Sequence, residues 1–469
     1  MTKVRTRFAP SPTGYLHIGS LRTALFEFAY AKTYSGDFIL RIEDTDRKRF
    51  IEGATEKLID SLKLFGITWD EGPVVNGPYA PYIQSERVKL GVYKDKAQKL
   101  IESGYAYYCF CKSESKEEIE EKHAKLGAVV RDVCRDIDKD DAAKRVEAGE
   151  KAAVRLRVPD EGKISYHDIV LGKDVIWDLK DVDEAMLLKS DGFPTYHLGV
   201  VVDDSIMNIT NILRGFEWLP STPIHLLIFK YLGENIPEIG HFSLILDPTG
   251  GKLSKRKGNV SVEEFVKDGY LPEAILNFIM LLGWAPKNNR EIFTLPEYVA
   301  EFKNGKLQIS NAIFNKEKLD WFNGYYIRKM TDDALASEII RFHDNKYPLD
   351  VIKKLTPLVK DRIVTLKDFE DLAGFIFEVK KVDKKLFEED YSSHLNDAYS
   401  VLSKIEKWNL PHINEELTNL VKSKNYKTGK FFMNLRIAVS GSRITPPINE
   451  SLEILGKDET LIRLKEFII

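Results

Sequence analysis

A histidine two residues before a glycine, and two lysines on a glycine-flanked loop, are the residues of this chain best suited to chemistry. The first pair lies in Arg7-Phe8-Ala9-Pro10-Ser11-Pro12-Thr13-Gly14-Tyr15-Leu16-His17-Ile18-Gly19-Ser20. The second lies in Lys252-Leu253-Ser254-Lys255-Arg256, between Gly250, Gly251 and Gly258. A β-type run from Val4 to Phe8 passes through proline and glycine into a helix, on which Leu21, Ala24, Leu25, Phe28 and Ala31 share one face. Ser20 is the expected cap and Gly36 the expected stop. A strand-loop-helix junction offers unpaired backbone N–H groups and a positive dipole end, a natural seat for a polyphosphate. His17 adds a side-chain donor, and Gly19 lets a flat ring approach the backbone. The ammonium groups of Lys252 and Lys255, with the lesser hydroxyl of Ser254, can close over the same phosphates.

These groups need a scaffold that brings them together. Phe38 to Ile42 reads as a strand with Glu43-Asp44-Thr45-Asp46 as its polar exit, and Gly53 to Gly66 as a helix. Such alternation predicts a parallel sheet covered by helices, with ligand beyond the carboxyl ends of the strands. That places Glu43 and the His17 loop at one crevice. Residues 112 to about 150 are strongly charged, with a helical pattern from Lys116 to Lys125, and read as an insertion. A β-type reading resumes at Ala153 to Val158. Lys189 to Leu198 then leads into an apolar strand, Gly199 to Val202, ending in Asp203-Asp204. Ile212 to Trp218 leads into a helix after Pro220 and Thr222. Beyond about residue 320 helical periodicity dominates, through Asp332 to His343, Asp350 to Lys360, Thr365 to Phe377 and Ser393 to Glu406. The boundary of this all-helical region falls between Leu319 and Met330.

With 469 residues the chain exceeds what one core usually serves. A formal charge of −3 excludes a uniformly basic nucleic-acid binder, so any RNA contact needs a local patch. The longest apolar stretch, around Ala274 to Trp284, is too short to span a bilayer, and Met1 to Arg5 has no apolar core for a signal peptide. Three cysteines make no disulfide framework and fit a reducing cytosol.

The two motifs, together with Arg41 to Arg47, Trp69 to Pro73, Tyr82 to Arg87, Lys189 to His197, Leu213 to His225 and Gly429 to Arg436, resemble the bacterial glutamyl-tRNA synthetases of class I from end to end. The chain departs from that pattern at Ser20, where the class often has a second histidine, at Phe216, usually acidic, and at Asn434, usually proline. The resemblance implies an α/β, doubly wound parallel-sheet (Rossmann-like) catalytic domain with an inserted segment, followed by an all-α anticodon-binding region. On that pattern residues 1–110 and 189–240 form the two catalytic halves, 111–188 the acceptor-binding insertion, 241–324 a linking helical domain with the Lys252 loop, and 325–469 the anticodon region. It implies a cytoplasmic monomer that joins L-glutamate to tRNA(Glu) through a glutamyl-adenylate, with ATP as substrate and Mg2+ on the pyrophosphate side. ATP would meet Gly14, His17, Gly19, Lys252 and Lys255, while His17, Lys252, Ser254 and Lys255 steady the phosphates. Glutamate would meet Arg7, Ala9, Ser11, Glu43, Tyr196 and Arg214: the arginines with its carboxylates, Glu43 with its ammonium. Arg362 would read the last anticodon base.

Some readings stay open. Lys422 to Arg443 carries six basic groups among Tyr426, Phe431 and Phe432, which fits either RNA or a solvated helix face. Arg7 and Arg214 are alternatively salt-bridge partners of Glu43 or Asp203. Cys109, Cys111, Cys134 and Asp136 are a donor set for zinc, against three free thiols. The competing functions are a glutaminyl or shortened relative and a catalytically silent tRNA-binding protein.

Overall fold

The structure, a computed structural model, describes residues 3–111, 129, 131–251, 253 and 261–468. Lys252, Ser254, Lys255 and Arg256, and the helix expected from Lys116 to Lys125, lie outside these residues. Contacts divide the chain into two units, one of Met1–Glu264 with Leu276–Asn315, the other of Phe265–Ile275 with Lys316–Ile469.

The first unit starts from Arg5–Phe8, which pairs in parallel with Asp37–Leu40. The expected strand to Ile42 stops two residues early, and Ile42 forms only an isolated bridge to Ile83. Helix Ile18–Thr33 connects the pair, and its predicted apolar face is buried. Its cap is His17 rather than Ser20: the ring Nδ1 accepts from Gly19 N at 2.9 Å, and Ser20 is already helical. Leu16 and Ile18, both buried, draw the helix start inward past the expected serine. At the far end Gly36 N donates to Ala31 O, and a Cβ on Gly36 would stand 2.2 Å from Val4 O, so no other residue fits the return.

Strands Asn211–Gly215 and Glu238–Phe242 run parallel, joined by helix Thr222–Leu232. Thr210 N donates to Arg5 O, setting this pair beside the first. The carboxyl ends at Phe8, Leu40, Gly215 and Phe242 therefore open onto one crevice. A hairpin, Lys163–Asp168 with Lys173–Asp178, extends the sheet through one parallel bridge, Asp168 to Ile239. Strands Ala106–Cys109, Ala153–Leu156 and Met186–Leu188 form a separate antiparallel sheet.

The apolar run Gly199 to Val202 is not a strand. It belongs to helix Tyr196–Ile206, whose residues Leu198 to Asp204 are all buried against helices Val92–Glu102 and Thr222–Leu232. A continuous apolar run carries no period, so burial on every side made helix and strand indistinguishable in sequence.

The second unit is helical. Asn323 stitches it internally, accepting from Leu271 N at 2.8 Å and donating to Val364 O at 2.6 Å. That stitch explains why Phe265–Ile275 groups with the helices rather than with its chain neighbours. Helices Tyr391–Leu402, Leu410–Ser423, Thr428–Ser440 and Ile448–Leu455 close around Leu395, Leu417, Phe431, Leu435 and Leu452. Among the described residues no helix is long and apolar enough to cross a membrane.

Candidate active site and metal centre

A cavity of about 530 Å3 opens at the carboxyl ends of the strands. Arg7, Ala9, Ser11, Gly14, His17, Gly19, Glu43, Tyr196 and Arg214 all line it, so every described residue expected to meet ATP or glutamate faces one space. Leu253 also lines it, between the undescribed residues of the lysine loop.

At one end the loop geometry orders the residues expected to meet phosphate. Because His17 Nδ1 accepts from Gly19 N, a neutral ring carries its proton on Nε2. A Cβ on Gly19 would lie 3.2 Å from that Nδ1 and crowd the ring. Leu16 N donates to Glu263 Oε1 at 3.1 Å, and Glu263 is held in turn by Ser61 and Ser261, which pins the loop from below.

Deeper in, charge is dense. Arg7 donates from Nε to Asp204 and from Nη1 to Glu27. Arg41, fully buried, donates to Asp204 Oδ1 at 2.7 Å and to Glu43 Oε1 at 2.9 Å. Arg87, Gln84 and Tyr93 converge on Asp203. Burial pushes Asp204 up, yet Arg7 and Arg41 together hold it below its usual range. For Glu43 burial wins over the pull of Arg41, and its carboxyl is pushed up to about 7. Glu27 rises to about 8 for the same reason, against the pull of Arg7.

Arg214 stands in different company. Its Nε donates to His241 Nε2 at 3.0 Å, Nη1 to Tyr196 Oη at 3.3 Å and His225 Nδ1 at 3.2 Å, and Nη2 to Thr222 Oγ1 at 2.8 Å. Among the described residues none of these partners is a carboxylate. The guanidinium is buried, and the partners that hold it are dipoles rather than charges. Burial and Arg214 lower His225 well below the usual range and His197 to about 4, keeping both rings neutral.

A second cluster lies at the separate antiparallel sheet, by the end of strand Ala106–Cys109. Donor atoms of Cys109, Cys111, Cys134 and Asp132 all fall within 4.8 Å of one another. The acid is Asp132, not Asp136. Asp132 caps the short helix Val133–Asp136, accepting from Cys134 N at 2.8 Å, which turns its carboxylate towards Cys109 Sγ at 3.1 Å. Asp136 closes that turn and is not in the cluster. The Cys111 and Cys134 sulfurs are 3.6 Å apart, near the roughly 3.8 Å edge of a tetrahedron with Zn–S of about 2.3 Å.

In the helical unit Arg362 is exposed and donates to Thr445 O at 3.2 Å, beside Arg436 on Thr445 Oγ1. The basic run is partly spent: Lys424 pairs with Asp397, Lys430 with Glu389 and Arg443 with Glu388. Phe431 is wholly buried and Tyr426 stacks on it beside His394, so core packing, not base stacking, uses both rings.

Sequence reasoning did not single out Glu27, Arg41, Asp204, Asp168, His225 or His241 as site residues. A signal existed for three of them. Glu27 stands between Phe26 and Phe28, Arg41 between Leu40 and Ile42, and Asp204 follows four apolar residues and Asp203, and a charge inside an apolar run must find a buried partner.

Comparison with known proteins agrees with this geometry. Residues 3–321 match the family described as tRNA synthetases class I (E and Q), catalytic domain, and residues 329–468 the anticodon binding domain. Proteins named glutamate--tRNA ligase from Dehalococcoides mccartyi and Finegoldia magna are 40% and 38% identical, covering 98% and 99% of this chain and 97% and 99% of their own. A glutamate tRNA ligase from Elizabethkingia meningosepticum, crystallised in complex with its amino acid, superposes with a TM-score of 0.82 at 33% identity over 99% of both chains. Matched along both units and bearing the crevice that the first motif builds, the chain belongs to the class I tRNA synthetases of the E and Q group.

Proposed function

We propose that the protein joins L-glutamate to tRNA(Glu) at the expense of ATP, through a glutamyl-adenylate, releasing AMP and pyrophosphate. One observation carries the choice of amino acid: Arg214 is buried, aimed into the cavity and ringed by neutral acceptors. A side-chain carboxylate offers oxygens both to the remaining Nη2 N–H and to the Nη1 N–H that Tyr196 Oη holds only at 3.3 Å, whereas an amide would turn its NH2 towards one of them.

The other roles follow from position. Among the described residues Arg7 has acceptors at Nε and Nη1, and Nη2 would meet a carboxylate of the ligand. Glu43, ionised, takes the ammonium. Ser11 and the Tyr196 hydroxyl add hydrogen bonds, and the small side chain of Ala9 leaves room. Attack of the glutamate carboxylate on the α-phosphorus needs no general base, so positioning and charge stabilisation supply the catalysis. Gly14 and Gly19 let the nucleotide lie against the backbone, and His17 donates from Nε2 to its phosphates. Lys252, Lys255 and Ser254 complete the clamp. Among the described residues the carboxylates lining the cavity are Glu43 and Glu217, of which Glu43 is paired with Arg41, so Mg2+ would be held chiefly by phosphate and water oxygens. Cys109, Cys111, Cys134 and Asp132 fit zinc in number, softness and spacing, and would hold it as a staple of the inserted sheet. Arg362 would read the anticodon. The enzyme would work as a cytoplasmic monomer.

Pyrophosphate exchange with the purified chain, ATP, tRNA(Glu) and either glutamate or glutamine tests this reading. Turnover is expected with glutamate alone, and only when tRNA is present. Activity with glutamine would overturn the substrate, and none with either would leave a tRNA-binding protein.

A further inference from the structure

Asp168 belongs to the inserted hairpin, yet it reaches the pocket through a histidine. Its side chain is wholly buried and collects donors on both oxygens. Oδ1 accepts from Val170 N at 3.0 Å and Leu171 N at 2.9 Å; Oδ2 meets Tyr166 Oη at 2.6 Å and His241 Nδ1 at 2.7 Å. His241 lies opposite Arg214 in the parallel register, and its Nε2 faces the Nε–H of Arg214 at 3.0 Å. That N–H is a donor and cannot be anything else, so Nε2 must present a lone pair and the ring proton must sit on Nδ1. An imidazolium would set N–H against N–H. Burial and Arg214 lower the His241 pKa against the pull of Asp168, in agreement with a neutral ring.

We propose that Asp168 is a positioning residue for amino-acid selection: it fixes the His241 proton on Nδ1, so that Nε2 holds the Arg214 guanidinium in the plane that accepts a carboxylate and rejects an amide. The inference rests on the reading of Arg214 as the residue that meets the ligand's side chain.

The carboxylate cannot be replaced by its amide. In Asp168→Asn the backbone N–H groups of Val170 and Leu171 keep the oxygen of the amide, which leaves the NH2 facing Tyr166 and His241 Nδ1. Tyr166 Oη, no longer donating to a carboxylate, accepts from that NH2 and turns its own proton towards His241 Nδ1 at 2.8 Å, so the ring accepts at Nδ1 and carries its proton on Nε2, against the Nε–H of Arg214. The guanidinium loses an acceptor and gains a repulsive neighbour, the same reversal that an amide causes beside a catalytic histidine.

The test uses the full chain with tRNA(Glu), measuring KM and kcat for glutamate, ATP and glutamine in pyrophosphate exchange. Asp168→Asn should raise the glutamate KM about ten- to a hundredfold and narrow the preference over glutamine, with the ATP KM within about threefold. A merely structural loss would move the ATP and glutamate constants together. Imidazole 15N resonances, with His241 assigned by its loss in His241→Phe, read the tautomer directly: Nδ1–H in the parent and Nε2–H in Asp168→Asn. Should Asp168→Asn not fold, His241→Phe carries the same selective rise in glutamate KM, and the parent spectrum stands alone. A parent ring protonated on Nε2, or an unchanged glutamate KM in a folded variant, overturns the proposal. A parent enzyme inert towards glutamate overturns instead the reading of the site.

Discussion

Two walls of one cavity treat an arginine in opposite ways. On the wall of the first strand, Arg7 meets Asp204 and Glu27, and Arg41 beside it meets Asp204 and Glu43. On the wall of the strand Asn211–Gly215, Arg214 meets two imidazoles, a phenol and a threonine hydroxyl. Both residues sit near strand ends and both are buried. What separates them is compensation. A guanidinium largely neutralised by internal acids, as Arg7 is, serves the fold first and offers a ligand only its remaining nitrogen, whereas one held in place by dipoles brings its charge uncompensated.

Substitutions on the two walls should therefore fail in different ways. Arg214→Gln should lower kcat/KM for glutamate by about a thousandfold or more, with thermal stability near the parent's, because a site built for a carboxylate loses its partner. Pyrophosphate exchange beside a melting curve checks both halves; a large fall in Tm would make Arg214 structural and erase the contrast. Asp204→Asn should do the reverse, costing about 3–5 kcal/mol of stability by leaving Arg7 and Arg41 short of charge in the interior. Denaturant unfolding measures it, and a loss under about 1 kcal/mol, as for an exposed pair, would refute the scaffold role.

A smaller effect follows from pH. Glu43 is protonated below about 7 and anionic above it, so its attraction for the glutamate ammonium should appear as pH rises through that value. The glutamate kcat/KM should climb from acid to neutral pH, and Glu43→Gln should flatten the limb; a profile flat in the parent sinks this role. The smallest effect concerns the cysteines. Metal analysis should find about one zinc per chain, and chelation should lower Tm with little change in the glutamate KM. A metal-free chain that melts at the same temperature would leave three thiols and an acid in company.

What the sequence made legible was local. His17, Gly19, Arg7 and Glu43 sit at a strand end or the loop that follows it, and contiguous residues announce such a junction through proline, glycine and helical period. Arg214 was legible by resemblance, but the reason for its freedom was not. His241 and His225 reach it from two other elements and Asp168 acts through His241 from a third; His225 closes a motif that carried the resemblance, but nothing in the chain around His241 or Asp168 marks them. The helix Tyr196–Ile206 was misread as containing a strand because an evenly apolar run shows no face. Sequence singled out Asp136, two residues after Cys134; Asp132 stands as far on the other side, and only the cap at Asp132 decides which carboxylate turns inward.

The single bridge between Asp168 and Ile239 has a consequence for how this molecule can be rebuilt. An engineer who swaps the insertion for that of a distant relative would expect to alter only the grip on the nucleic acid. The exchanged cassette would carry away the acid that sets one ring proton beside the amino-acid pocket. Chimeras cut at its borders should be scored for fidelity as well as for tRNA charging, since the seam runs through the selectivity of the enzyme.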